Sequence, residues 1–223
     1  MSRQHKGFLI NLEGGEGCGK TSHMPFLVNH LRSRGLNVFP AREPGGTSIG
    51  EQIREILHNH KNIGMNSRTE TLLYQAARAQ IVDESLKPRL EDGEIVILDR
   101  FFDSTIAYQG YGHRQGIERI RELINYATDG LRPDLTVLLD VNVEIGLSRK
   151  GKSNEWNRMD ALPKEFHERV RAGYLLMANN YPNWIVIDAN NEIEVVRDKL
   201  ITEIVRKLEF VGLVEGQHRK IER

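Results

Sequence analysis

The chain has 223 residues, 39% of them apolar and 28% charged, which excludes a disordered chain and gives one domain or at most two small ones. Its 31 Lys and Arg balance 31 Asp and Glu, so no net charge recruits DNA or an acidic membrane, and its one cysteine, Cys18, excludes an intrachain disulfide and a Cys-rich metal site. No apolar run approaches the roughly 18 residues that span a bilayer, and the opening MSRQHKGFLINLEGG lacks the apolar core and cleavage site of a signal peptide, so a cytoplasmic protein is expected.

The first predicted strand is Gly7–Glu13. It runs directly into Gly14-Gly15-Glu16-Gly17-Cys18-Gly19-Lys20-Thr21, a full G-x-x-x-x-G-K-[ST] loop, and a helix is predicted from Thr21 to Arg34. Strand, glycine-rich loop and helix in that order make a phosphate cradle. The glycines let successive N–H groups turn inward, and the helix aims its positive end at the same point. Lys20 can reach the β- and γ-phosphates of ATP, and Thr21 can place a hydroxyl on Mg²⁺. A carboxylate inside an anion cradle repels phosphate, so Glu16 is expected to aim away from it, at a second ligand that offers a hydroxyl.

The second strand, Asn37–Arg42, closes on Arg42-Glu43-Pro44-Gly45-Gly46-Thr47, a tight turn at the carboxyl edge of the sheet. Helices follow at Ile49–Asn59 and Thr69–Leu86. On the latter, Tyr74 and Arg78 are four apart and share a face, a pairing that can stack on a base and bond its edge, or simply be core. The third strand, Glu94–Asp99, is a nearly continuous apolar run ending in Asp99, the position of an acid that holds Mg²⁺ or its water, and Arg100 follows at once.

A helix is predicted at Ile117–Thr128 and a strand at Leu135–Val141. The polar stretch Lys150–Asn157 reads as a mobile loop between two helices; with its flanks it carries Arg149, Lys150, Lys152 and Arg158, the cations a closing lid over a triphosphate needs, or a solvated face. Helix Lys164–Asn180, strand Trp184–Ala189 and helix Glu192–Leu208 complete the alternation, and the polar tail from Glu209 to Arg223 either extends the last helix or frays. The Glu94, Leu135 and Trp184 runs all read as strands buried on both faces, giving an α/β fold with a mostly parallel sheet. His5, His58, His60 and His113 lack ligand spacing and read as surface residues.

Many cations and no Ser–His–Asp set favour phosphoryl transfer to an acceptor that is already anionic, such as a nucleoside monophosphate, over hydrolysis. GGEGCGKT, REPGGT, LLYQAARAQ, LDRFFDSTIAYQG and RPDLTVLLDV, in this order, resemble bacterial thymidylate kinase from about residue 7 to about residue 208. The resemblance implies a P-loop NTP hydrolase-like three-layer sandwich, with five parallel strands flanked by helices, in one domain over 1–223. A lid lies at about 149–160. It implies transfer of the γ-phosphate of Mg·ATP to dTMP by a homodimer, with no nucleic-acid or membrane partner.

Position by position, the resemblance gives Lys20, Thr21 and the backbone from Gly14 to Gly19 to ATP, Thr21 and Asp99 to Mg²⁺, and Arg42 and Arg100 to the dTMP phosphate. Glu16 matches the carboxylate that meets the 3′-hydroxyl, Tyr74 an aromatic that stacks on thymine, and Arg78 and Thr105 contacts to the base edge. Tyr108 matches the aromatic that crowds the 2′ position, and Pro44 lines the 5-methyl pocket. Gly17 and Cys18 stand where one branch of the family has a P-loop arginine, so basic residues of the lid, Arg149 and Arg158 first, are expected to supply the catalytic cation. The lid reads Asn157-Arg158-Met159-Asp160 where the family often reads Asp-Arg-Ile-Glu. A kinase of another nucleotide, and a P-loop switch protein that only binds ATP, stay open as alternatives.

Overall fold

A computed structural model describes residues 5–152 and 157–214. Five parallel strands, β1 (Phe8–Glu13), β2 (Val38–Arg42), β3 (Ile95–Asp99), β4 (Leu135–Asp140) and β5 (Trp184–Asp188), form one sheet in the order β2-β3-β1-β4-β5. The helices are α1 (Lys20–Ser33), α2 (Ser48–His58), α3 (Ser67–Ile81), α4 (Lys87–Glu91), α5 (Phe102–Thr105), α6 (Ile117–Thr128), α7 (Val143–Gly151), α8 (Lys164–Asn180) and α9 (Ile193–Phe210). Wider π turns continue α3 over Val82–Leu86 and α5 over Ile106–Gly112.

The pleat sorts the strand side chains into two cores. Ile10, Leu12, Ile97, Val137 and Leu139 face α1 and α9, packing on Leu27, Leu31, Leu200 and Ile204. Leu9, Val96, Leu98 and Leu138 face the opposite layer of Ile81, Phe101, Ile124 and Tyr174. Three layers result, as expected. β1 lies between β3 and β4 and so is paired along both edges, while the chain crosses over it between β3 and β4. That reversal opens a crevice at the carboxyl ends of β1 and β3, the place where open parallel sheets bind ligands.

Three sequence expectations need correction. The Trp184 run is an edge strand, not one buried on both faces: Val186 is 44% exposed. The stretch Phe102–Gly112, for which no helix was expected, is helical throughout, and Gly110 and Gly112 permit it, since a Cβ there would meet Ile117 at 2.5 Å and Phe166 at 2.6 Å. The expected loop from Lys150 begins later, because α7 runs on to Gly151. Arg149 and Lys150 are therefore helical, while residues 153–156 of that loop, and 215–223 of the tail, lie outside the described residues.

Candidate active site

The P-loop leaves β1 and curls under α7. Gly17 has φ 64°, and a Cβ on it would stand 2.0 Å from the carbonyl oxygen of Gly146, so only glycine permits this approach. The loop opens into a cleft of about 840 Å³ that also takes in the ends of β2 and β3, α3 and the start of α9.

At one end, Lys20 is buried within the loop, its ammonium donating to the carbonyls of Gly14 (3.0 Å) and Gly15 (3.2 Å) and to Cys18 Sγ (3.1 Å). Among the described residues no carboxylate neutralises it in an ion pair, so its charge is available to a phosphate in the same curl. Thr21 Oγ1 donates to Asp99 Oδ2 at 2.9 Å. These two hard oxygen donors beside a phosphate cradle fit Mg²⁺, which takes one or two protein ligands and draws the rest from phosphate and water. Among the described residues no group of three His, Cys, Asp or Glu forms an all-protein cage.

At the other end Glu16 turns onto Arg100 and Tyr108. Arg100 Nη2 donates to Glu16 Oε1 at 3.1 Å, and the Tyr108 hydroxyl to the same oxygen at 2.6 Å. Burial alone would push the Glu16 carboxyl up, but Arg100, Lys20 and Tyr108 outweigh it and bring it down to about 2. Arg100 itself has φ 71°, a left-handed backbone that an L side chain adopts at a cost. It is held there by donation to Gly14 O (2.9 Å) and Ser104 Oγ (3.2 Å) and by stacking over Tyr108, 5.0 Å from the ring centre. Under this pair, buried Glu13 accepts from the N–H groups of Phe101 and Ser104 and from the Tyr174 hydroxyl, pinning the turn that aims Arg100.

The comparisons with known proteins agree with this geometry. The family model "Thymidylate kinase" matches residues 12–200. A thymidylate kinase of an Exiguobacterium species is 41% identical over 93% of this chain and 98% of its own, and one of Clostridium novyi is 42% identical over 90% and 97%. The chain belongs to the thymidylate kinase family.

Most positions that the family resemblance singled out share the one cleft. Arg42, Pro44, Tyr74, Thr105 and Tyr108 line it beside Glu16, Lys20, Thr21, Asp99 and Arg100. Arg42 is paired with Glu51 at 3.0 Å, and the Tyr74 hydroxyl has no hydrogen-bond partner among the described residues. Arg149 also reaches the wall, but its guanidinium donates to the carbonyls of Ala189 (2.7 Å), Asn190 and Asn191, which ties α7 to the loop after β5.

Two predicted site residues do not reach the wall. Arg78 is 1% exposed, and its Nε, Nη1 and Nη2 all donate within the protein. Nε and Nη2 meet Glu43 Oε2 at 2.8 and 2.7 Å, Nη1 serves Gln75 Oε1 and Thr105 Oγ1, and Nη2 also serves Phe101 O. It stands behind Thr105 rather than on the cleft wall. Arg158 is buried too, donating to Leu57 O at 3.0 Å and to Glu70 Oε2 at 2.5 Å, because a buried Glu70 needs a cation. It is an anchor between α2 and α3, not a solvated lid cation. Of the expected lid cations, Lys150 is at the cleft and Lys152 is exposed.

Sequence reasoning missed Arg54, which lines the cleft and donates to Pro44 O at 2.8 Å, and Gln109. It also placed His58 and His113 on the surface. His58 lines the cleft, where burial and then Arg54 lower its pKa to about 4, and His113 stands 3.2 Å from Glu70. Arg54 lies four residues before His58 on α2, a spacing that could have suggested a shared face.

Proposed function

We propose that the two ends of this cleft hold Mg·ATP and dTMP, and that the enzyme transfers the γ-phosphate to give dTDP and ADP. One observation carries the reading: the P-loop and the Glu16–Arg100–Tyr108 cluster open into the same cavity, so two anionic ligands meet inside it. A phosphate monoester is already a nucleophile. Its oxygen forms the new bond to the γ-phosphorus as the bond to ADP breaks, and positioning with charge stabilisation suffices.

The P-loop backbone cradles the ATP phosphates, and Lys20 exchanges its two loop carbonyls for β- and γ-oxygens. Thr21 and Asp99 hold Mg²⁺, which when bound neutralises charge between those phosphates. Arg42 and Arg100 orient the acceptor phosphate. Glu16, held ionised, accepts from the sugar 3′-hydroxyl, and Tyr108 crowds the 2′ position. Tyr74 stacks on thymine, Pro44 borders its methyl group, and Thr105, backed by Arg78, meets its edge. Lys150, Arg149 and the segment anchored by Arg158 form the cationic cover, with the lid at 149–160 part of one domain over 1–223. A homodimer working in the cytoplasm follows from the family resemblance; no described helix is long and apolar enough to cross a membrane.

Radiolabelled γ-phosphate of ATP, incubated with the enzyme, Mg²⁺ and dTMP, should appear in dTDP. Label released as orthophosphate at the same rate without dTMP would make the protein a hydrolase or switch instead.

A further inference from the structure

Behind the acceptor wall lies a carboxylate with no evident task in the phosphoryl transfer. Glu70, on α3, is 1% exposed. Its Oε1 accepts from Gln109 Nε2 at 2.7 Å and stands 3.2 Å from His113 Nε2, while its Oε2 takes Arg158. Burial would raise its pKa, but the nearby His113, Gln109 and Arg158 hold it below the ordinary carboxylate value, so it is an anion and can only accept.

That fixes which way the Gln109 amide faces. A carboxylate repels a carbonyl oxygen, so Nε2 must point at Glu70 and Oε1 away from it. Gln109 lines the cleft, and its Oε1 neither bonds to a described residue nor is fully buried. About one turn earlier on the same helical stretch, Thr105 Oγ1 accepts from Arg78 Nη1 at 2.9 Å and from Gln75 Nε2 at 3.4 Å. Those two donors occupy both lone pairs of the hydroxyl, which leaves only its O–H to offer. The wall therefore displays an acceptor at Gln109 beside a donor at Thr105. Thymine displays the complement, a ring N–H beside a carbonyl. Cytosine inverts both, with a bare ring nitrogen beside an amine.

We infer that Glu70 is a positioning residue for base discrimination: by locking the Gln109 amide it makes the wall match thymine and mismatch cytosine. This rests on the reading of the acceptor end as a dTMP site.

The test is kcat/KM for dTMP and dCMP in wild type, Glu70→Gln and Arg158→Lys. Glu70→Gln keeps the shape but can accept or donate, so the Gln109 amide is free to flip. The dTMP:dCMP ratio should narrow about tenfold or more, the scale of one mispaired buried polar group. Arg158→Lys changes another partner of Glu70 but keeps its cation, and so leaves the anion facing Gln109; its ratio should stay at the wild-type value even if both rates fall. Should Glu70→Gln not fold, Glu70→Asp draws the charge back from Gln109 and should narrow the ratio about threefold. An unchanged ratio in the folded Glu70 variant overturns the inference, as does equal narrowing in Arg158→Lys, which would mean general loosening. A wild type that does not prefer dTMP to dCMP would instead overturn the dTMP reading itself.

Discussion

The two ends of the cleft are built in different ways. The donor end is mostly backbone: six residues from Gly14 to Gly19 curl around one lysine, and their carbonyls are its partners. The acceptor end is mostly side chain. Arg78 is bound to Glu43, Gln75 and Thr105, and Glu70 to Gln109 and Arg158, collected from four separate stretches of chain. A backbone cradle leaves one contiguous motif and costs little stability to disarm. A buried ionic network leaves no contiguous motif, and removing one partner strands the other in a dry interior.

Lys20→Ala should break that contrast most visibly in rate. Removing a central electrostatic group costs about 10²-fold or more in kcat, while Tm stays near wild type because no carboxylate among the described residues is ion-paired to Lys20 and Glu16 keeps Arg100. Near-normal turnover in the folded variant would mean the cradle is not the donor site.

Arg78→Met should act on both axes. It leaves Glu43, already pushed up to about 7 by burial, without its cation. Breaking a buried pair costs about 3–5 kcal/mol, and thermal melting should report a drop on the order of 10 °C. Thr105 loses the donor that orients it, so the dTMP:dCMP ratio should narrow roughly tenfold. Adding Glu43→Gln should restore part of the Tm and none of the ratio. A wild-type Tm in the single variant would show that the acceptor end is no more costly to disarm than the P-loop.

Tyr74 separates ring from hydroxyl. Tyr74→Ala removes a stacking surface worth roughly 1–3 kcal/mol per base and should weaken every accepted nucleotide alike. Tyr74→Phe, which deletes a hydroxyl without a described partner, should be nearly silent in kcat/KM. A large loss in Tyr74→Phe would give that hydroxyl a role in binding.

The smallest effect concerns pH. His58 is faced by Arg54, Arg100, Arg158 and Glu16; burial and then Arg54 set its pKa at about 4 against an ordinary 6.5. The folded value lies below the unfolded one, so this contribution to stability is complete above about pH 6.5 and is lost as the pH falls towards 4. His58→Asn should therefore lose less Tm than wild type between pH 7 and pH 5, by about 2–4 °C for each kcal/mol of linkage. Parallel melting curves across that range would place His58 outside this field.

The contrast also explains what the sequence alone made legible. The strands ending at Glu13, Arg42 and Asp99 were readable because apolar runs stop at charged residues on the sheet's carboxyl edge, and the P-loop because its chemistry needs glycines at fixed spacing. Arg158 looked like a solvated lid cation because its partner, Glu70, lies 88 residues away and carries no local signal. Arg78 was read as a wall residue but stands one layer behind Thr105, since helical spacing gives a face and not a depth. Phe102–Gly112 hid its helix because its glycines are explained only by contacts with Ile117 and Phe166. α7 hid its last turn because Gly146 is its one buried residue, so little apolar periodicity marks it.

The most direct test of the whole account is kcat/KM by coupled ADP release over dTMP, dUMP, dCMP, dGMP, AMP and UMP at fixed Mg·ATP. The two-ended cleft predicts turnover that depends on the monophosphate, with dTMP best and dCMP and the ribonucleotides lower by about tenfold or more, the scale of one mismatched buried contact. ADP release at one rate whatever the monophosphate, or dCMP used as well as dTMP, would contradict it.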